Sequence, residues 1–315
     1  QMQSANYTSG YESAILDRLA SAEAQIQQLR RELENEKRER YWDLHMFRAQ
    51  ISLLQQQQQQ QQQKHQNNNN NKQPTKDDLT SGVTGTRYYN HSDVDAIASE
   101  IVRRSVAQRE GGDEKQPYRF LVGLAGIPAS GKTTLASKLV KSIKSKGVSA
   151  CLLPMDGFHY SRAHLDTMPD PRLAHARRGA EWTFDAEGLE KVLTKIADSK
   201  ELIQIPGFDH KEKDPKPGQH AVAQHDRIVL VEGLYLLMSK SKRWHAISNR
   251  FRLRCFLFTS FSTAEKRIVP RHVEAGIVQD EKQALQRWFE NDKVNGMQIL
   301  DGLDEAQIDV KIVTM

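Results

Sequence analysis

The 315-residue sequence predicts an α/β domain, a parallel sheet with helices on both faces, preceded by a coiled-coil helix and a disordered Gln/Asn-rich linker. Three observations predict it. From residue 91 onward, short apolar runs alternate with helix-like stretches, with candidate strands at 119–125, 148–155, 202–206, 228–232, 253–259 and 309–313. Such alternation argues for parallel strands covered on both sides. The turn after the first of these runs, Gly126-Ile127-Pro128-Ala129-Ser130-Gly131-Lys132-Thr133, fits G-x-x-x-x-G-K-[ST] at every fixed position, which is the P-loop of NTPase-type sheets. Finally, the apolar residues, 38% of the whole, are sparse in the first third, so only the remainder can build a core.

The elements follow in order. Within 1–54, residues 11–54 read as one helix. Ile15, Leu19, Ala22, Ile26, Leu29 and Leu33 recur at alternating spacings of four and three, a heptad seam. Glu36 and Arg40 then occupy the seam, and Leu44, Phe47, Ile51 and Leu54 resume it in a shifted phase, as a stutter does. A coiled-coil homodimer through 11–54 is expected; a lone amphipathic helix packed on the rest of the chain is the alternative. Residues 55–90, with runs at Gln55–Gln63 and Asn67–Asn71, have nothing to bury and predict a disordered linker. The globular pattern covers 91–315, where Ser92 can cap a helix carrying Val94, Ile97, Ile101 and Val102.

Composition narrows the function. The net charge is +5, a weak nucleic-acid signal, because a phosphate-binding enzyme also needs basic residues. No RNA-recognition or zinc-finger pattern accompanies it, so no nucleic-acid partner is expected. Cys151 and Cys255 both lie in apolar runs, as small buried residues of a reducing, cytoplasmic protein would. No apolar run reaches membrane-span length, and no secretory signal is visible. The chain begins at Gln1, so a targeting segment could precede it.

Phosphate chemistry follows from the P-loop. Residues Gly126, Ile127, Pro128, Ala129, Ser130, Gly131, Lys132, Thr133 and Thr134 would wrap backbone N–H groups around ATP phosphates at a helix N-terminus. Lys132 adds a charge near the β- and γ-phosphates, and the Thr133 hydroxyl can hold Mg²⁺. The next strand ends at Met155-Asp156-Gly157-Phe158. Ligands bind beyond the carboxyl ends of parallel strands, so Asp156 should face the P-loop, as a base for an attacking hydroxyl or a partner of Mg²⁺ through water. Asp-Gly is also a common turn pair. Ile228-Val229-Leu230-Val231-Glu232 is an apolar strand ending in an acid, the Walker B position, where Glu232 could order metal-bound water.

Taken together, Gly126–Thr133, Met155-Asp156-Gly157-Phe158, Gly179-Ala180-Glu181-Trp182-Thr183-Phe184-Asp185 and Val231-Glu232-Gly233 resemble the phosphoribulokinase/uridine kinase/pantothenate kinase family, and its uridine kinase-like branch most. The resemblance runs from about residue 92 to the end. It implies a small-molecule kinase that moves the γ-phosphate of ATP to a substrate hydroxyl, with Asp156 as base and Glu232 supporting the metal or the nucleophile. It also implies substrate-binding polar residues after the third strand, which makes Asp209 and His210 candidates. Arg178, in the basic stretch His175-Ala176-Arg177-Arg178, could meet an anionic substrate or be a solvated turn. The segment Thr263–His272 resembles the family's mobile lid. There Arg267 and Arg271, four apart on one helix face, could neutralise the transferring phosphoryl group, and Pro270 suggests a hinge or a helix start. Asn291, Asp292 and Asn295, clustered late in the helix-like segment 281–300, could touch nucleotide or substrate, or cap or break the helix. The Asp-Gly-Phe form is closer to pantothenate kinases than to typical uridine kinases, and the segment 208–214 matches neither signature clearly.

An ATP-dependent kinase of a nucleoside-, sugar- or pantothenate-like hydroxyl compound is therefore expected. A coiled-coil assembly protein with a regulatory nucleotide site is the competing reading. The complete set Lys132, Thr133, Asp156 and Glu232 argues against it, because a scaffold needs no phosphoryl-transfer constellation.

Overall fold

The computed structural model describes residues 2–70, 86–110, 119–209 and 211–314. They divide into two compact units, Gln1–Phe47 and Arg48–Met315. Helix α1 (Met2–Asn70) supplies all of the first unit that is described and opens the second. It is longer than the 11–54 expected, because it continues through the whole glutamine run. Glutamine is a good helix former, and this stretch is also anchored. Ala49 and Leu53 are buried, and the Gln56 amide brackets Tyr88, its Nε2 donating to the Tyr88 carbonyl (3.1 Å) while its Oε1 accepts from the Tyr88 N–H (3.3 Å). Of the expected linker, 71–85 lies outside the described residues, and its last part is not linker. Residues Arg87–Asn90 form a strand, β1. Its two tyrosines suit a pleated edge, but four residues after a polar tract give no readable alternation.

The second unit continues with α2 (Val94–Glu110), β2 (Phe120–Gly126), α3 (Lys132–Ser145) and β3 (Ala150–Pro154). Short helices α4 (Arg162–Leu165) and α5 (Pro171–Ala176) lead to α6 (Ala186–Asp198). Then come β4 (Ile203–Asp209), β5 (Asp214–Val222), β6 (Ile228–Gly233), α7 (His245–Arg250) and β7 (Leu253–Phe258). Helices α8 (Phe261–Glu274) and α9 (Glu281–Arg287), a π-helical turn at Trp288–Asp292, α10 (Lys293–Gly302) and β8 (Val310–Val313) complete it.

Six strands form one sheet in the order β1-β8-β7-β2-β6-β3, and every neighbouring pair is parallel. One face carries Val122, Leu124, Leu230 and Cys255, packed with Ile97 and Ile101 of α2 and Leu135, Leu139 and Ile143 of α3. The alternate residues Leu121, Val229, Val231, Phe256 and Phe258 are buried as well, and Gly123 lies against the Phe251 ring, which follows α7. Burial on both faces is why these strands read as continuous apolar runs. The candidate strand 202–206 departs from expectation. It becomes β4, which does not join the sheet but pairs antiparallel with β5 as a separate hairpin. Its residues alternate between buried and less buried positions, the mark of a strand with one covered face.

Candidate active site

The sheet order fixes the site. β6 lies between β2 and β3, so Glu232 sits beside Leu124 on one side and Pro154 on the other. The P-loop leaves the end of β2 and the Asp156 turn leaves the end of β3, so three adjacent parallel strands deliver their C-terminal residues to one place.

The P-loop is shaped by two left-handed residues, Ala129 (φ 57°) and Gly131 (φ 94°). Only glycine takes such a φ without strain, and Ala129 holds it against a Cβ cost. Gly131 precedes α3, whose first turn has no side-chain cap. Its leading N–H groups are therefore available to an anion. The Ser130 hydroxyl is buried with no hydrogen-bond partner. An uncapped helix start and an orphaned hydroxyl inside the loop fit phosphate oxygens.

Around the loop, charges converge. The charges of Glu232, Asp156 and Arg271 act on Lys132. Burial lowers its pKa, Arg271 adds to that, and the two carboxylates oppose it. Glu232 is 4% exposed, and burial raises its pKa, helped by Asp156 and opposed by Lys132, Thr133 and Arg271. The Thr133 hydroxyl donates to the Glu232 carboxylate at 3.2 and 3.3 Å. Among the described residues no three His, Cys, Asp or Glu side chains form a metal cluster. One hydroxyl and one or two carboxylates suit Mg²⁺, which keeps waters and takes its other ligands from phosphates.

Asp156 sits in a 3₁₀ turn, Met155–Phe158. The glycine after it is required by packing: a Cβ on Gly157 would stand 2.1 Å from the Pro206 carbonyl oxygen. The β4–β5 hairpin therefore rests directly on the Asp156 turn. His159 follows, its Nδ1 2.9 Å from the Asp156 carbonyl oxygen, and its ring lies 3.9 Å from Phe184 and 5.0 Å from Phe208 between centroids.

Of the two lid arginines, Arg267 donates to the Ser130 carbonyl at 2.8 Å, and the charge of Arg271 acts on Lys132 and Glu232. The structure thus brings α8 against the P-loop. Pro270 does not start or break α8, which runs through it to Glu274. Pro270 and Lys266 are both exposed, so the carbonyl that loses its donor can be hydrated.

The substrate candidates are more scattered. Arg178 is engaged within the chain: it donates to Asp214 (2.8 Å), to the Tyr160 carbonyl (2.9 Å) and to the Lys213 carbonyl, and stands 5.5 Å over the Phe208 ring. Asp209 closes the hairpin turn, accepting from the N–H groups of Lys211 and Glu212 and pairing with Lys216 at 2.9 Å. The Lys216 ammonium, then those two N–H groups, hold its carboxyl down at about 2. His210 lies outside the described residues.

One pairing joins two groups that the sequence left apart, the basic stretch before Gly179 and the polar cluster at 291–295. Arg177 donates to Asn291 (3.0 Å) and Asn295 (2.9 Å), and both asparagines are buried. Two asparagines four apart inside a helix, where they are poor formers, were the signal available. Asp292 of the same turn meets His272 of α8 at 2.8 Å, which ties the lid helix to this group.

The phosphoribulokinase/uridine kinase family model matches residues 121–263. A Schizosaccharomyces pombe protein provisionally named a uridine kinase is 38% identical over 186 residues, covering 58% of this chain and 78% of that protein. The chain belongs to the phosphoribulokinase/uridine kinase family. A Candida glabrata protein named ATP-dependent kinase YFH7 is 32% identical over 261 residues, covering 67% of this chain and 76% of that protein. The fold is shared with YFH7 of Saccharomyces cerevisiae, at a TM-score of 0.61 and 22% identity, over 71% of this chain and 99% of that one. The chain is thus a P-loop kinase of this family, a phosphotransferase whose kind implies ATP and a small-molecule substrate. No helix among the described residues is long and apolar enough to cross a membrane.

Proposed function

We infer that this family member transfers the γ-phosphoryl group of ATP to a hydroxyl of a small nucleoside-, sugar- or pantothenate-like metabolite. The observation that carries the reading is the placing of Asp156 with Glu232 and Lys132 at the ends of three adjacent strands. A scaffold with a regulatory nucleotide would not need a carboxylate on the acceptor side of its P-loop.

In this reading the P-loop N–H groups and Lys132 hold the nucleotide phosphates. The acceptor lies between Asp156 and the hairpin, beside His159 and Phe208. Asp156 takes the hydroxyl proton as the acceptor oxygen bonds to the γ-phosphorus and the bond to the β–γ bridging oxygen breaks, releasing ADP. Arg267 and Arg271 stand where negative charge spreads over the transferring group. Thr133 and Glu232 would hold Mg²⁺, with Asp156 reaching it through water. When bound, the ion supplies charge neutralisation at the phosphate oxygens. Burial pushes the Glu232 carboxyl up despite the Lys132 and Arg271 charges beside it, so the further positive charge of a metal–nucleotide complex would favour its ionised form.

The test is a metabolite panel with ATP and wild-type protein, followed by Asp156→Asn on the acceptor found. Asn keeps the shape and removes the charge. ATP affinity should stay within about tenfold while transfer falls by about 10²–10⁴, the usual worth of a general base. Lys132→Ala should weaken ATP binding and transfer together. ATP turnover that no acceptor alters, or near-wild-type transfer by Asp156→Asn, would overturn the assignment.

A further inference from the structure

Every described side chain of α1 from Arg18 to Arg38 is exposed. Within that stretch Leu19, Ile26, Leu29 and Leu33 are 55%, 50%, 58% and 53% exposed. Helices in proteins draw most of their stability from burying an apolar face, and here the apolar residues of that face are exposed among the described residues. Three features of the stretch itself say what covers it.

The first is spacing. With Leu19, Ile26 and Leu33 at heptad position a, positions d fall on Ile15, Ala22 and Leu29. A 3.5-residue repeat of this kind is buried by a second helix winding along it, not by a flat surface.

The second is the sign of the flanking charges. In a parallel, in-register pair, each g residue faces the e residue five positions later in the other helix. Arg18 (g) then meets Glu23 (e) of the partner subunit, and Glu32 (g) meets Lys37 (e) of the partner subunit. Gln25 opposite Arg30 is neutral. After the stutter, Asp43 (g) meets Arg48 (e) of the partner subunit. Every charged g–e pair is therefore of opposite sign, and each occurs twice by symmetry.

The third is what antiparallel pairing would do. Aligning the same apolar layers sets Glu23 against Glu23 of the partner subunit. Sliding one heptad to relieve this places Leu19 against Glu36, and Ile15 against Arg40, of the partner subunit. Within 15–33 the parallel register keeps every apolar layer with no like-charged flanking pair, whereas Glu36 and Arg40 just beyond it face their own copies and end the regular seam.

We propose that a second copy of this chain covers the seam, so that the protein is a parallel, in-register dimer through α1. The proposal is independent of the reaction assigned to the P-loop. Three regular heptads with an alanine at one d position make a short zipper, so the pairing is concentration-dependent in the micromolar range. Dimerisation would tie two copies of the catalytic unit together.

Full-length protein serves for the test. Sedimentation should show twice the chain mass at tens of micromolar, and Leu29→Asp should give the single-chain mass while still binding ATP, which shows that the rest remains folded. Direction is read separately by Leu29→Cys, which in the parallel register faces its own copy. Mild oxidation should link most of it into covalent dimers, while Gln28→Cys, one position off the seam, and the wild type with Cys151 and Cys255 should not link. Glu23→Lys should raise the dimer dissociation constant about tenfold, and adding Arg18→Glu should restore it. A wild type of single-chain mass overturns the proposal, as does a dimer indifferent to Leu29→Asp. A dimer lost in Leu29→Asp but not linked through Leu29→Cys overturns the parallel register.

Discussion

Glu100 shows how one carboxylate can carry stability without touching the active site. It is 5% exposed and accepts from Arg103 (2.9 and 2.8 Å) and Arg104 (2.8 Å), with Arg87 at 3.4 Å. Burial alone would push its pKa up, but the hydrogen bonds and charges of these arginines outweigh burial and hold it below its ordinary 4.5. A carboxyl depressed by folding stabilises above its unfolded pKa, and that contribution is lost as pH falls through the folded value. Glu100→Gln should therefore cost about 3 kcal/mol at pH 7, the scale for breaking a buried ionic group. The deficit should shrink as pH falls through the folded value, below which the wild-type carboxyl is protonated too. Urea midpoints across a descending pH series measure this, and a loss that stays constant would show that packing rather than charge is responsible. Burial also pushes the Cys151 and Cys255 thiols well up, which fits the expectation from sequence that both are packing residues.

Among the elements, the β4–β5 hairpin separates what the sequence shows from what it hides. Strands buried on both faces write themselves as apolar runs, so β2, β3, β6, β7 and β8 were legible, as was the P-loop with its turn glycine. β5 was not: Asp-Pro-Lys-Pro-Gly-Gln is polar and carries two prolines, and its strand character comes from pairing with β4, a tertiary fact. The hairpin also explains why Asp156 is followed by glycine. Gly157→Ala would set a Cβ 2.1 Å from a backbone carbonyl oxygen, and backbone cannot swing aside as a side-chain tip can. The hairpin must lift off the turn, at about 1–3 kcal/mol for overpacking. We expect a lower melting temperature and impaired transfer with ATP affinity unchanged, because the P-loop is built on a different strand. An unaltered melting temperature would mean that the hairpin is free to move. The Arg177–Asn291–Asn295 group was illegible for another reason: a π-helical turn sets the phase of those asparagines, and no periodicity in the sequence announces it.

For the molecule as a whole, the boundary of the catalytic unit decides what can be expressed alone. A fragment starting at residue 91 would omit β1 and bare one edge of β8. One starting at 86 keeps β1 but lacks Gln56, which occupies the Tyr88 N–H and C=O on the outer edge. Unpaired parallel edges invite association with other chains. We therefore predict that 48–315 stays monodisperse and binds ATP, that 86–315 folds and binds ATP but aggregates at lower concentration, and that 91–315 is the least soluble. Light scattering across a concentration series ranks them, and equal behaviour would show that the edge needs no cover. The place of β8 between β1 and β7 has a consequence during synthesis. Thr86 bonds to the Ile308 carbonyl across 222 residues of chain, and β1 has no partner in the sheet until 310–313 has left the ribosome. While the P-loop strand and its neighbours are already outside the exit tunnel, β1 and the glutamine that grips it wait unpaired. The nascent chain is then most open to wrong partners in the stretch that carries its polyglutamine.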